Sequence, residues 1–128
     1  MKKSICCVSM LTRLDTNELR YAMQDDDSFI GVFPIDLLPR HVNKQKTIKL
    51  IVNLEPSNLP GSHWVCIYRR NCKAYYFDTF GRIPPTDIQH WLASNSRDWT
   101  HNKNRVQSES DKISCGYICV YFLSQLPS

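Results

Sequence analysis

The chain has 128 residues, 42% of them hydrophobic and 22% charged, with a formal net charge of +4. That length supports one domain, residues 1–128, around one core, and the balance is that of a folded globular protein rather than a disordered one. No apolar run approaches the ~20 residues that cross a bilayer, and the modest charge permits weak nucleic-acid binding without demanding it.

Residues 1–11 have the outline of a signal peptide, but Ser4 and Ser9 interrupt the apolar stretch and no small-x-small site follows. They read as a first strand or N-terminal arm of an intracellular protein. Asp15-Thr16 ahead of Asn17-Glu18-Leu19 predicts a helix start, with Leu19, Tyr21 and Met23 on its apolar face. The run Asp25-Asp26-Asp27 closes that helix and reads as a solvated loop rather than a metal site. Residues 29–38 mix apolar side chains with Gly31 and Pro34, which predicts extended chain and turns. Residues 47–54 read as a strand ended by Pro56 and Pro60.

The next strand is expected over 63–69. A two-residue turn at Arg70-Asn71 would pair Arg69 with Cys72 and Cys66 with a residue near Tyr75, on a partner strand over 74–78. Thr79-Phe80-Gly81 then turns the chain away. Thr86-x-x-Gln89 has the form of a capping box, and Ile88, Trp91 and Leu92 give the helix behind it an apolar face. Residues 94–104 read as loop around an isolated Trp99, with one short strand near Arg105-Val106. Residues 115–126 are apolar almost all round, which predicts a central, buried helix.

The six cysteines show no Cys-x-x-Cys and no spacing common to zinc sites. With the hairpin register above, Cys66 and Cys72 do not face each other. The expectation is reduced, mostly buried thiols in a reducing compartment, with no metal.

Three residues in order carry chemistry: His63 in Gly-Ser-His-Trp, Asp78 in Tyr-Tyr-Phe-Asp, and Cys115 in Ile-Ser-Cys-Gly. A thiol is a poor nucleophile until an imidazole takes its proton, and the imidazole needs an acid to hold its tautomer. Cys115 follows Ser114, an N-cap candidate, and so falls in the first turn of the buried helix, where free N–H groups favour a thiolate. His63 opens one strand and Asp78 ends its neighbour, so a hairpin can bring them together. Cys119, one turn on, fits a structural core thiol, and His41, His90 and His101 have no such partner. Gln107, eight positions before Cys115, reads equally as an oxyanion donor or as an exposed loop residue. Trp64 reads as a wall over a narrow substrate or as core. Gly116 would let a substrate backbone approach the thiol.

Gly-Ser-His-Trp-Val, Tyr-Tyr-Phe-Asp-Thr-Phe-Gly-Arg-Ile-Pro-Pro and Ser-Cys-Gly-Tyr-Ile-Cys-Val-Tyr-Phe-Leu resemble the adenoviral protease (adenain) family. They are more similar still to its relatives in Maverick/Polinton transposons and in adintovirus-like or adomavirus-like viruses. Phe-Ile-Gly-Val-Phe and Ile-Val-Asn-Leu-Glu extend the resemblance over residues 11–124. It implies an α+β, papain-like cysteine protease fold of the circularly permuted adenain type, with a small mixed sheet and a buried catalytic helix. It implies His63 as base, Asp78 as orienting acid, Cys115 as nucleophile and Gln107 as oxyanion donor, with Trp64 and Gly116 at the substrate.

The chain departs from adenain in three ways. The interval from Gln107 to Cys115 is slightly longer, the acid is Asp rather than Glu, and the chain stops soon after the catalytic helix. A minimal protease is therefore expected, with no cofactor and no assumed activating peptide or DNA. The expected function is a viral or virus-like-element thiol endopeptidase. It would cleave precursor structural proteins during virion maturation, after small residues such as glycine, and work as a monomer in the host nucleus or cytoplasm and in the virion. Two alternatives stay open: a protease that deconjugates ubiquitin-like proteins, and a non-catalytic virion or DNA-binding protein. Intact His63, Asp78 and Cys115 argue against the second.

Overall fold

The computed structural model describes residues 12–44, 46–58 and 63–128. The expected N-terminal strand or arm, Cys6, Cys7, Pro60 and the Gly61-Ser62 pair before His63 lie outside them.

Among the described residues, five strands form one mixed sheet in sequential order: β1 (Phe29–Pro34), β2 (Ile48–Asn53), β3 (Trp64–Arg70), β4 (Lys73–Phe77) and β5 (Asp98–His101). β1 lies parallel to β2, β3 runs antiparallel to both β2 and β4, and β5 lies parallel to β4. β2 is buried from Ile48 to Val52, Lys49 included, because both of its faces are covered. Alternation along β3 sorts its side chains: Trp64 and Cys66 join one core, and Val65 and Ile67 the other. The first core is closed by α1 (Thr16–Ala22) and α3 (Cys115–Ser124), and the second by α2 (Thr86–Asn95) through Ile88, Trp91 and Leu92.

α1 starts on a full capping box. The Asp15 carboxylate accepts from the Glu18 N–H at 2.8 Å, and the Glu18 carboxylate accepts from the Asp15 N–H at 3.1 Å. α2 starts differently from expectation. Its N-cap is Pro85, no side chain caps it, and the Gln89 amide instead donates to the Pro84 carbonyl at 2.8 Å. Thr86 is the first helical residue, so its hydroxyl does not serve as a cap.

The hairpin register is also corrected. Arg70 pairs with Lys73 and Cys66 with Phe77, so the turn residues are Asn71 and Cys72, both at positive φ (53° and 66°). Such a turn matches the twist of the strands, and Asn tolerates that conformation well. Near the C-terminal half the predicted strand at Arg105-Val106 is loop, and the strand lies instead at Asp98–His101. Helix α3 is buried on one face only; Tyr121 on its outer side is 60% exposed.

The acidic run is more than solvated loop. Lys49, on interior strand β2 and 1% exposed, donates from Nζ to Asp26 at 2.6 Å and to the Leu126 carbonyl at 2.7 Å. A buried ammonium needs such partners, and this one ties the turn after α1 to the chain end after α3.

Candidate active site

His63, Asp78 and Cys115 meet where the ends of β3 and β4 face the start of α3. His63 Nε2 lies 2.7 Å from Asp78 Oδ1. The other ring nitrogen, Nδ1, is left for the Cys115 thiol, which lines the same cleft and whose charged form the imidazole favours. Cys115 is 2% exposed, at the base of a cleft of about 500 Å³ lined by His63, Phe80, Arg82, Gln107, Glu109, Asp111, Lys112 and Arg13.

The electrostatics follow from this geometry. Burial opposes charge on the imidazole, but the hydrogen bonds to Asp78 and Cys115 outweigh it and hold His63 up at about 9. Burial likewise opposes the Cys115 thiolate, and hydrogen bonds from His63 and from the Trp64 N–H (3.5 Å to Sγ) overcome it, so the thiol lies below its ordinary value. Asp78 is buried too, yet His63 and the Phe80 N–H (2.9 Å to Oδ1) keep its carboxyl below the usual range. Cys119, one turn along α3, shows the opposite behaviour: complete burial and the neighbouring Cys66 thiol push it up. Its Sγ donates to the Trp64 carbonyl at 3.6 Å.

Three residues missed in the sequence build the surroundings. Asn102, just past β5, grips the Asp78 backbone: its Nδ2 donates to the Asp78 carbonyl at 2.6 Å and its Oδ1 accepts from the Asp78 N–H at 2.9 Å. Phe80 stacks on His63 with centroids 4.8 Å apart. It is placed there by the turn at Gly81, whose φ of +69° and 2.8 Å approach to the Lys103 carbonyl leave no room for a side chain. Thr79, fully buried, donates from its hydroxyl to Gln107 Oε1.

Gln107 is buried rather than an exposed loop residue and lines the same cleft as Cys115. Its Oε1 is held by Thr79, and one hydrogen of Nε2 goes to the Asp111 carbonyl at 2.8 Å. One amide hydrogen remains.

Other expectations change. Ser114 occupies the N-cap of α3 without a side-chain cap hydrogen bond. Asp111 shapes the approach instead, its Oδ1 accepting from the N–H groups of Ile113 and Ser114. Trp64 is 3% exposed, donates from Nε1 to the Leu14 carbonyl at 3.1 Å and belongs to the core, so it does not wall the cleft. Successive residues at the start of a strand point to opposite sides, which sends Trp64 away from the side His63 takes. Gly116 is packed as well. A Cβ there would sit 3.2 Å from Trp64 Cδ1 and 3.4 Å from Leu14 Cβ and Leu19 Cδ2. Its small size serves the seat of α3 on the core rather than the approach of a substrate.

Among solved structures, the crystal structure of the ASFV pS273R protease matches 91% of this chain with a TM-score of 0.56 and 17% identity. A second crystal structure of that protease, in selenomethionine form, matches 59% of the chain with a TM-score of 0.49 and 20% identity. The mixed α+β fold of this chain is therefore shared with that protease. This chain spans 58% of the length of the first of those solved chains and 32% of the second. No protein-family model and no curated protein matches the sequence.

Proposed function

We propose that the protein is a viral or virus-like-element cysteine endopeptidase that cuts precursor structural proteins, with Cys115 as nucleophile, His63 as base and Asp78 as the acid that orients it. The observation that carries this reading is His63, 2.7 Å from the Asp78 carboxylate, sharing one cleft with the Cys115 thiol at the start of α3. The likeness in fold to a viral protease agrees with it.

In this reading Asp78 fixes the proton of His63 on Nε2, and Nδ1 takes the proton of Cys115. The thiolate attacks the scissile carbonyl. The negative charge that develops on oxygen is met by the remaining Gln107 amide hydrogen and the Cys115 N–H, an unpaired donor in the first turn of α3. His63 then protonates the leaving amine, and water resolves the thioester by the same route. The chemistry needs no metal or cofactor. The site of action is the host nucleus or cytoplasm and the virion, and the working form is a monomer on protein substrates.

Incubating the purified protein with structural proteins encoded beside it, and mapping the new N-termini, tests the reading. Discrete cleavages that vanish in Cys115→Ala support it. Release of a ubiquitin-like protein from a lysine side chain, with those proteins left whole, would replace it with deconjugation.

A further inference from the structure

The carboxylates of the cleft are already engaged. Glu109 is ion-paired with Arg105 at 3.0 Å, and Asp111 accepts from two backbone N–H groups at 2.9 and 3.0 Å. Arg82 is not engaged in that way: among the described residues it forms no ion pair, and it is exposed on the cleft wall. Its guanidinium instead lies 4.7 Å over the centroid of Phe80, whose ring stacks on His63 at 4.8 Å. The stack holds a planar, multi-donor cation one aromatic ring from the imidazole and leaves its N–H edge free for a carboxylate. Lys112 lines the same cleft and adds to the positive potential.

We infer that Arg82 is a specificity-determining residue that selects substrates carrying an Asp or Glu side chain near the scissile bond. The inference rests on the protease reading above. The two contacts of 4.7 and 4.8 Å bound the distance from the guanidinium to the imidazole. An extended peptide covers that span in about three residues at ~3.3 Å each. A substrate lying in the cleft also excludes water from the guanidinium, which strengthens its pairing with a carboxylate. The interaction is made alike in the ground state and the transition state, so it acts on KM rather than on kcat.

The test uses a set of peptides that share one cleavage site and differ only in an acidic, neutral or basic residue within three positions on either side. Wild type should cut the acidic peptides about three- to fivefold better in kcat/KM, the size of a partly exposed ion pair. That preference should weaken with salt. The ratio should fall to about one in Arg82→Ala and reverse toward basic peptides in Arg82→Glu. A role confined to the His63 stack would lower all peptides alike and leave the ratio unchanged, which overturns the inference. Equal rates for all peptides in wild type overturn it too. Binding of the same peptides to Cys115→Ala, followed by fluorescence anisotropy, separates this failure from that of the protease reading. If nothing is cut but the acidic peptides bind more tightly through Arg82, the selectivity stands and the protease reading falls. If the acidic peptides bind no better than the others, the selectivity falls.

Discussion

The Asn102 side chain pairs with the Asp78 backbone as a neighbouring strand would, donating to its carbonyl at 2.6 Å and accepting from its N–H at 2.9 Å. Asp78 lies one residue beyond β4, where the ladder to β5 has already ended. The amide replaces the missing ladder and fixes the backbone from which the carboxylate reaches His63. Asn102→Ala should therefore cost about 1–3 kcal/mol of stability, because it strands the Asp78 N–H. It should also lower kcat more than KM. Thermal unfolding and steady-state kinetics on the same preparation check both.

The pair of Cys115 and His63 predicts the pH profile. Activity rises as the depressed thiol loses its proton and falls as pH climbs through about 9, where His63 gives up its own. The sign for stability agrees. The folded value of His63 lies above its ordinary 6.5. Its contribution is therefore complete below that value and is lost as pH rises through about 9. Asp78→Asn removes the main group that raises His63, so the alkaline limb should move to lower pH and kcat should fall by up to about 10⁴. Rates of Cys115 alkylation against pH, in wild type and Asp78→Asn, measure the shift.

Gln107 is held at both ends of its amide, by the Thr79 hydroxyl and the Asp111 carbonyl. Gln107→Ala should lower kcat by about 10²–10³ with little change in KM. Thr79→Val should do part of the same damage at a distance, by releasing Oε1 and letting the amide turn. A Gln107→Ala enzyme with nearly full kcat would move the oxyanion site elsewhere.

Gly116→Ala separates packing from substrate approach. A methyl group 3.2 Å from Trp64 forces that ring to move, at a cost of about 1–3 kcal/mol, which the better helix propensity of Ala offsets by ~1 kcal/mol. The melting temperature should fall. A change confined to KM, at unchanged stability, would return Gly116 to the substrate path.

That His63, Asp78 and Cys115 come together was legible because each sits at a boundary that local sequence marks: a strand start, a strand end and a helix start. Side-chain direction was not legible. Trp64 and Gly116 follow His63 and Cys115 in sequence, and only the packing of α3 on β3 shows that both face the core. Asn102 and Lys49 carry no local signal at all. Their partners, Asp78 and Asp26, are 24 and 23 residues away and are met only through strand pairing and the turn after α1. The hairpin slip had a readable cause, since Asn71 favours the first left-handed position of a two-residue turn. β5 was missed because its four residues lie in a polar stretch with only Trp99 and His101 partly covered.

The central claim is that His63 activates Cys115, and selective alkylation tests it most directly. A limiting dose of iodoacetamide at neutral pH, followed by peptide mass mapping, should modify Cys115 well ahead of Cys72, although Cys72 is the more exposed of the two. The preference should disappear in His63→Ala. Modification of Cys72 first in wild type, or an unchanged Cys115 rate in His63→Ala, would contradict the account.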